Sequence, residues 1–269
     1  MSDSAAKAAD KNVVHSLAKG FRVLEAFTSQ QPELSLAEVA RRAGMDNATA
    51  FRLLNTLVML GYVEKIADTR DFRLALKCLD LGFNAIARAD LRGLARPVLR
   101  TLVGALNEAA SLGVLDGADV VYIERIQAGL TRLGVDVRIG SRVPAYSTAT
   151  GHALLGFMPR DAQLRVLEAR EREKVTPRTP VELDAILARL AAVRERGYAF
   201  SDQESVSGLL VLSAPVLDLD GVPLAAVSVA APAMGVDAAA FEREARTPVL
   251  AAALSLSRAL SATGGLVHA

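Results

Sequence analysis

Residues 35–62 read SLAEVARRAGMDNATAFRLLNTLVMLGY, and this stretch decides how the first third of the chain folds. Ser35 is placed to accept a hydrogen bond from the backbone N–H of Glu38 while the Glu38 side chain reaches back, a capping box that opens a helix. Leu36, Val39, Ala40 and Ala43 fall on one face of that helix. Gly44 stands where a left-handed residue ends a helix, and Asp46 is an N-cap for the next. In the second helix, from Asn47 to Leu60, a turn of about 100° per residue puts Ala50, Phe51, Leu53, Leu54, Leu57, Val58 and Leu60 on one half of the cylinder. Thr49, Arg52, Asn55 and Thr56 share the other half, which carries no carboxylate. Gly61 stops the helix, Tyr62 and Val63 begin a strand, and after a turn at Ala67-Asp68-Thr69 a ribbon returns through Phe72-Arg73-Leu74. Helix, tight turn, helix and ribbon make a winged helix-turn-helix, a device that lays its second helix in the DNA major groove. Arg suits guanine edges or phosphates, Asn suits adenine, and Thr suits thymine or a phosphate oxygen. The expected DNA contacts are therefore Asn47, Thr49, Arg52, Asn55 and Thr56 on the second helix, Lys19, Arg22 and Ser35 ahead of it, and Arg70 and Arg73 in the wing. Helical hairpins also occur as plain packing units, so the local pattern leaves both readings open.

The chain is 269 residues long and 51% hydrophobic, enough to bury a large core and to hold two domains. No apolar run is long enough to cross a bilayer, and the polar, alanine-rich N-terminus lacks the apolar core of a signal peptide, so the expected location is the cytoplasm with no membrane partner. Cys78 is the single cysteine, which excludes an intramolecular disulfide and a multi-cysteine metal site; in its setting a small packing residue is expected rather than a redox sensor. His15, His152 and His268 are too scattered for a metal site, and no cofactor motif is present. Net charge is +1, and residues 11–75 hold nine Lys or Arg against seven Asp or Glu, so charge neither supports nor opposes DNA binding.

The rest of the pattern places a disordered tail over residues 1–12 and a helix over 13–28 whose stripe of Leu17, Phe21, Leu24 and Phe27 packs on the hairpin. The DNA-binding domain is then 13–75, followed by a linker helix over 76–90 and a second domain over 91–269. Leu76, Leu79, Phe83 and Ile86 have the spacing of a seam that meets a partner helix, and equally that of a helix packed on its own domain. A long helix is expected from Arg92 to Asn107. Strands follow at 111–115 and 120–126, joined by Asp116-Gly117-Ala118-Asp119, then at 135–137. Helices are expected over 147–158, 161–173 and 181–196, strands over 198–201, 209–217 and 224–231, and a last helix from Asp237 to about Leu260. The charged runs 168–174 and 194–196 read as solvated helix faces. Antiparallel strands with helices outside make this domain α+β, with a sheet able to cup a small ligand.

From about Val14 to Leu260 the chain resembles IclR-type transcriptional regulators. The N-terminal match is Ser16-Leu17-Ala18-Lys19-Gly20, Ala37-Glu38-Val39-Ala40, and Thr49 with Arg52-Leu53-Leu54 ahead of Leu60-Gly61-Tyr62-Val63. The C-terminal match is Gly140 and Pro144, then Ser147-Thr148-Ala149-Thr150-Gly151-His152-Ala153-Leu154-Leu155. It continues in Gly197-Tyr198-Ala199-Phe200, Glu204, Gly208-Leu209, Ala214-Pro215-Val216 and Asp220-Gly221. The resemblance implies a homodimer or homotetramer that binds double-stranded operator DNA and carries a GAF-like C-terminal domain for a small organic effector. Val114-Leu115-Asp116-Gly117, Val121-Tyr122-Ile123, Val135-Asp136-Val137, the segment from Gly140 to Tyr146 and Asp202-Gln203-Glu204 resemble the branch that controls catabolism of protocatechuate, 4-hydroxybenzoate and related acids.

The resemblance also implies a pocket. In members that bind glyoxylate or pyruvate, the carboxylate meets backbone N–H groups matching Ala149 and Thr150, beside Gly151, and two serines matching Ser228 and Ala230. An acidic residue there matches Ser201 and a cysteine matches Val211. The expected floor is thus more apolar and less negative, and favours a larger, partly apolar acid over a very small polar one, since an unpaired buried polar group costs about 1–3 kcal/mol. A small aliphatic acid is the alternative effector. His152 stands where relatives carry Lys or Arg, either beside the pocket or on the helix surface. A competing class is an enzyme using the same pocket, and a third is an interaction module. No Gly-rich phosphate loop, Gly-x-Ser-x-Gly elbow or His-Glu-x-x-His motif is present, so no residue is assigned to catalysis.

Overall fold

The computed structural model describes residues 13–28, 30–86, 91–127 and 137–262, with the backbone alone for 83–86. The chain divides into two compact units, Met1–Ala85 and Ile86–Ala269.

In the first unit, helix α1 (His15–Glu25) is followed by a short strand β1 (Glu33–Ser35), helices α2 (Leu36–Arg42) and α3 (Asn47–Met59), and the wing strands β2 (Val63–Lys65) and β3 (Asp71–Leu74). Helix α4 (Cys78–Ile86) follows the wing. The strands form one antiparallel sheet in the order β1-β3-β2, with Leu34 opposite Phe72 and Glu64 opposite Arg73. Strand β1 has no counterpart in the sequence reading: three residues are too few to show alternation, and pairing with β3 makes them a strand. Gly44 turns α2 into α3 with φ of 63°, the left-handed conformation expected of it.

The core of this unit is Val23, Ala26 and Phe27, with Leu34, Val39, Ala43, Leu54, Leu57, Val63 and Phe72. This corrects two expected faces. Leu17 and Phe21 are more than half exposed, so α1 packs through its C-terminal turn and not through the full stripe. On α3, Ala50, Leu54 and Leu57 are buried, whereas Phe51, Val58 and Leu60 remain exposed. Helices that cross at an angle bury a narrow contact stripe, so a half-cylinder of apolar residues exceeds what the crossing can cover.

The second unit opens with α5 (Leu91–Leu106), then strands β4 (Ala109–Asp116), β5 (Asp119–Ile126) and β6 (Arg142–Pro144). A 3-10 turn (Ala145–Ser147) leads into α6 (Ala149–Leu155), followed by α7 (Arg160–Glu168) and α8 (Leu183–Arg196). Strands β7 (Ala199–Asp202), β8 (Leu209–Leu217) and β9 (Pro223–Pro232) and helix α9 (Ala238–Ala262) complete it. All six strands form one antiparallel sheet in the order β6-β5-β4-β9-β8-β7. One face carries Leu112, Leu210, Leu212, Val227 and Val229 against α5 and α9. The other carries Val211, Ala226 and Ala230 against α6 and α8. The central strands are apolar on both faces because helices cover both, and the α+β expectation holds.

Several boundaries differ from the sequence reading. Of the strand expected at 135–137, residues 135 and 136 lie outside the described residues and Val137 is not in a strand; β6 lies further on, paired with β5. The tail over 1–12 and His268 also lie outside the described residues. Helix α7 ends at Glu168, so the run 168–174 is not a helix face. Arg172 binds the carbonyl oxygens of Leu167 (2.6 Å) and Val181 (2.8 Å), and Arg170 pairs with Asp119 (2.8 Å). The run 194–196 is an exposed face at the end of α8, as expected, with Arg194 and Arg196 lying over the rings of Phe157 and Tyr198. At the seam, Leu76 and Leu79 are exposed, while the side chains of Phe83 and Ile86 lie outside the described residues. No helix among the described residues is long and apolar enough to cross a membrane.

Candidate functional site

The hairpin is held by caps at both helix starts. Ser35 accepts from the Glu38 N–H (3.4 Å) and donates to Glu38 Oε2 (2.7 Å), while the Ser35 N–H donates to the same carboxylate (3.0 Å). The Ser35 hydroxyl is therefore committed to the cap, and these bonds hold the Glu38 carboxyl below the usual range. Asp46 accepts from both the N–H and the hydroxyl of Thr49 (2.8 Å each), so Thr49 offers its methyl and an acceptor oxygen rather than a free donor. Thr56 donates its hydroxyl to the Arg52 carbonyl (2.9 Å). Asn47, Arg52, Asn55 and Thr56 are exposed along α3, and Lys19 and Arg22 are exposed on α1. In the wing, Arg70 is exposed, whereas Arg73 pairs with Glu64 (3.0 Å). The end of α3 is closed by Lys77, which donates to the Leu60 carbonyl (2.9 Å) and lies over the Tyr62 ring. Cys78 donates to the Tyr62 carbonyl (3.3 Å), and burial pushes its thiol up, away from the thiolate a sensor needs.

In the second unit, a cavity of about 110 Å³ lies between the sheet and the start of α6. Four expected residues line it: Ala149, Val211, Ser228 and Ala230. Three do not. Thr150 is buried with its hydroxyl 3.5 Å from that of Tyr122. Gly151 is buried against Ala145, whose carbonyl oxygen a Cβ would meet at 2.0 Å, so its place there is one of close packing. Ser201 lies on the next strand, opposite Val211, with a buried hydroxyl that has no hydrogen-bond partner among the described residues.

The floor is not apolar throughout, because the cavity also meets Ser111, Tyr122 and Arg125. Arg125 stands opposite Ser111, and Ser111 stands opposite Ser228, so the three form one row across β5, β4 and β9. Arg125 donates from Nη1 to the Ser111 hydroxyl (2.9 Å), while its Nε is buried without a partner among the described residues. Burial holds the Arg125 pKa below its ordinary value, yet it remains a cation. It is the one Lys, Arg, Asp or Glu among the described lining residues.

Sequence alternation hides Arg125. Residues 122 and 125 are three apart and would face opposite sides of a regular strand. The register shifts at Leu112/Gly113, where Gly113 pairs with Tyr122 and Leu112 with Glu124, leaving Ile123 as an extra residue. That bulge returns Arg125 to the face of Tyr122. Opposite them Gly113 lets α6 come close: a Cβ there would meet Val120 Cγ1 at 2.7 Å and Thr150 Cγ2 at 2.9 Å.

His152 is neither beside the cavity nor on the surface. It is 3% exposed, and Nε2 must carry its proton because its partner, 2.6 Å away, is the Tyr146 carbonyl oxygen. Burial is the main cause that lowers its pKa to about 4, with Arg189 and Arg196 adding to the effect. The neutral ring ties the 3-10 turn to α6 and so holds the wall formed by Pro144 and Ser147. No cluster of His, Cys, Asp and Glu able to hold a metal occurs among the described residues.

Comparison with known proteins agrees with these two arrangements. The model of the IclR helix-turn-helix domain matches residues 16–67, and that of the bacterial transcriptional regulator IclR C-terminal domain matches residues 83–258. The HTH-type transcriptional regulator KdgR of Escherichia coli K12 is 35% identical over 82% of this chain and 83% of its own length. The p-hydroxybenzoate hydroxylase transcriptional activator of Acinetobacter baylyi is 32% identical over 81% of each chain. The crystal structure of a transcriptional regulator from Rhodococcus sp. RHA1 has a TM-score of 0.83 and 33% identity, over 94% of this chain and 100% of that one. With a capped winged hairpin in one unit, a small cavity in the other and both domain models matched, the chain belongs to the IclR family of bacterial transcriptional regulators.

Proposed function

We propose that this regulator binds operator DNA through α3 and releases or tightens that grip when a compact organic acid, aromatic or related, enters the cavity of the second unit. Arg52, Asn55 and Asn47, with the methyl of Thr49 and the exposed Thr56, read the groove. Lys19, Arg22, Arg70 and Arg73 meet the phosphates, Arg73 after exchanging Glu64 for one. Ser35 contributes by fixing the start of α2. The protein acts as a dimer or tetramer, joined through α4, so that two hairpins meet two half-sites.

The observation that carries the effector reading is the cavity itself: an apolar wall of Val143, Val206, Leu209 and Val211 with a cation, Arg125, among its lining. That combination suits an acid with an apolar body. The backbone N–H groups of Ala149 and Thr150, Ser228 and the neighbouring Ala230 complete the surroundings, with Gly151 and Ser201 behind them. The likeness to the p-hydroxybenzoate hydroxylase transcriptional activator supports an aromatic acid. The size supports a second reading, a small aliphatic acid: the cavity of about 110 Å³ is below the about 150 Å³ of an engineered cavity that holds benzene.

The test is a thermal-shift screen of the whole chain with benzoate, 4-hydroxybenzoate, protocatechuate, pyruvate and glyoxylate, followed by operator binding with and without each hit. A true effector at 100 times its Kd stabilises by about 2.7 kcal/mol and changes DNA affinity by the same factor by which DNA changes its own. Absence of both effects for every acid overturns the effector reading. DNA binding that is insensitive to sequence overturns the assignment of the recognition helix.

A further inference from the structure

Resting on the reading of the cavity as an effector site, we infer that Arg125 is its charge-selecting residue: the guanidinium, with the hydroxyls of Ser111 and Ser228, takes the carboxylate of a compact monoanionic acid. Three observations lead there. First, the Arg125 side chain is half-buried, and a cation withdrawn even partly from water normally has an anionic partner, because burying a charge unpaired is costly. The Arg125 guanidinium has none among the described residues: Nη1 donates to the neutral Ser111 hydroxyl, and it is the backbone N–H of Arg125 that donates to Glu124 (3.1 Å). The neighbouring Glu124 points to the opposite face of the sheet, where it pairs with Arg92 (2.8 Å).

Second, the groups left over match a carboxylate. Nη1 donates to Ser111, and Nε is buried with no acceptor among the described residues. The edge formed by Nε and Nη2 is the one that grips a carboxylate with two parallel hydrogen bonds. The Ser111–Ser228 pairing places two hydroxyls in the same row, each able to donate to a remaining carboxylate lone pair.

Third, the magnitudes favour the sheet over the helix. Helix α6 has seven residues, and a helix end carries at most about half an elementary charge, whereas the guanidinium carries a whole one. Thr148 has already satisfied one donor of that helix, the Gly151 N–H (3.1 Å). Charge selection therefore lies on β5, and the start of α6 shapes the far wall.

The experiment is calorimetry on the whole chain with acids and their neutral amides: benzoate and benzamide, 4-hydroxybenzoate and 4-hydroxybenzamide, pyruvate and pyruvamide. The wild-type protein should prefer the acid of its pair by about 10- to 100-fold, the range for a hydrogen-bonded charge. Arg125→Gln should lose that preference by weakening the acid and leaving the amide unchanged, and Arg125→Lys should keep part of it. The melting temperature of ligand-free Arg125→Gln should match or exceed wild type, since a half-buried charge with no anionic partner is gone; an arginine kept only for packing would give a decrease. Ser111→Ala, which leaves the cation but frees Nη1, should weaken the acid several-fold. Equal binding of acid and amide by the wild type, or unchanged acid binding by Arg125→Gln, overturns Arg125 as the selector while the cavity remains the effector site. No binding of any acid overturns the effector reading and this inference with it.

Discussion

Thr49, Arg52, Asn55 and Ser228 show how far one side chain is set by its own neighbours. Thr49 reads as a donor from its residue type, but the N-cap Asp46 takes that donor. What remains for DNA is a methyl and a lone pair, a thymine-like preference. Arg52 is exposed at the middle of α3, free of any acidic neighbour on the helix face it shares with Asn55 and Thr56. Arg52→Ala should weaken specific operator binding by about 1–3 kcal/mol, with discrimination at one base position relaxed. Fluorescence anisotropy on operator and scrambled duplexes checks this, and unchanged specific affinity in a folded variant removes Arg52 from the interface. Ser228→Ala should lower effector affinity and blunt the response while leaving ligand-free DNA affinity intact. Calorimetry showing wild-type effector affinity counts against Ser228.

At the scale of elements, a helix presses on a strand at a residue with no side chain. Helix α6 approaches β4 where Gly113 leaves room for the Thr150 methyl, and the bulge at Ile123 turns Arg125 into the same space. A methyl at position 113 must displace Val120 or Thr150, and overpacking of this kind costs about 1–3 kcal/mol. Gly113→Ala should therefore lower the stability of the second unit by that amount and weaken effector binding. Urea unfolding followed by the tyrosine signal measures it; full stability in the variant means that α6 shifts at no cost. The caps act differently. They hold the ends of α2 and α3 by bonds within three residues, which is why Ser35 and Glu38 are legible as a pair from their spacing alone.

For the whole molecule, stability is tied to pH through His152. Its pKa is about 4 in the folded protein and about 6.5 when unfolded, so between those values the unfolded chain binds more protons. Stability contributed by the neutral ring is fully present above pH 6.5 and is lost as pH falls towards 4, about 3 kcal/mol in all. Denaturation midpoints at pH 7 and pH 4.5 should fall more steeply for wild type than for His152→Gln, in which nothing titrates at that position. Equal slopes would mean that His152 is protonated in the fold. Because the ring ties the 3-10 turn to α6, the same loss should loosen the cavity wall and reduce effector affinity in that pH window.

The residues by themselves determine whatever depends on short range. Caps, helix periods, the wing and the hairpins β4–β5 and β8–β9 follow from interactions close in sequence, and α5, α8, β8, β9 and α9 lie within two residues of their expected places. Tertiary structure decides what depends on which faces meet. It leaves Leu17, Phe21 and Phe51 exposed although their spacing is that of a core stripe, because a crossing helix covers only part of an apolar face. It draws Glu33–Ser35 into a sheet through a partner nearly forty residues away. It keeps Thr150, Gly151 and Ser201 off the cavity lining, buries His152, and brings Arg125 to the cavity by one extra residue in β5. A bulge has no periodic signature, and a cavity belongs to several strands at once, so neither can be read along a single segment of chain.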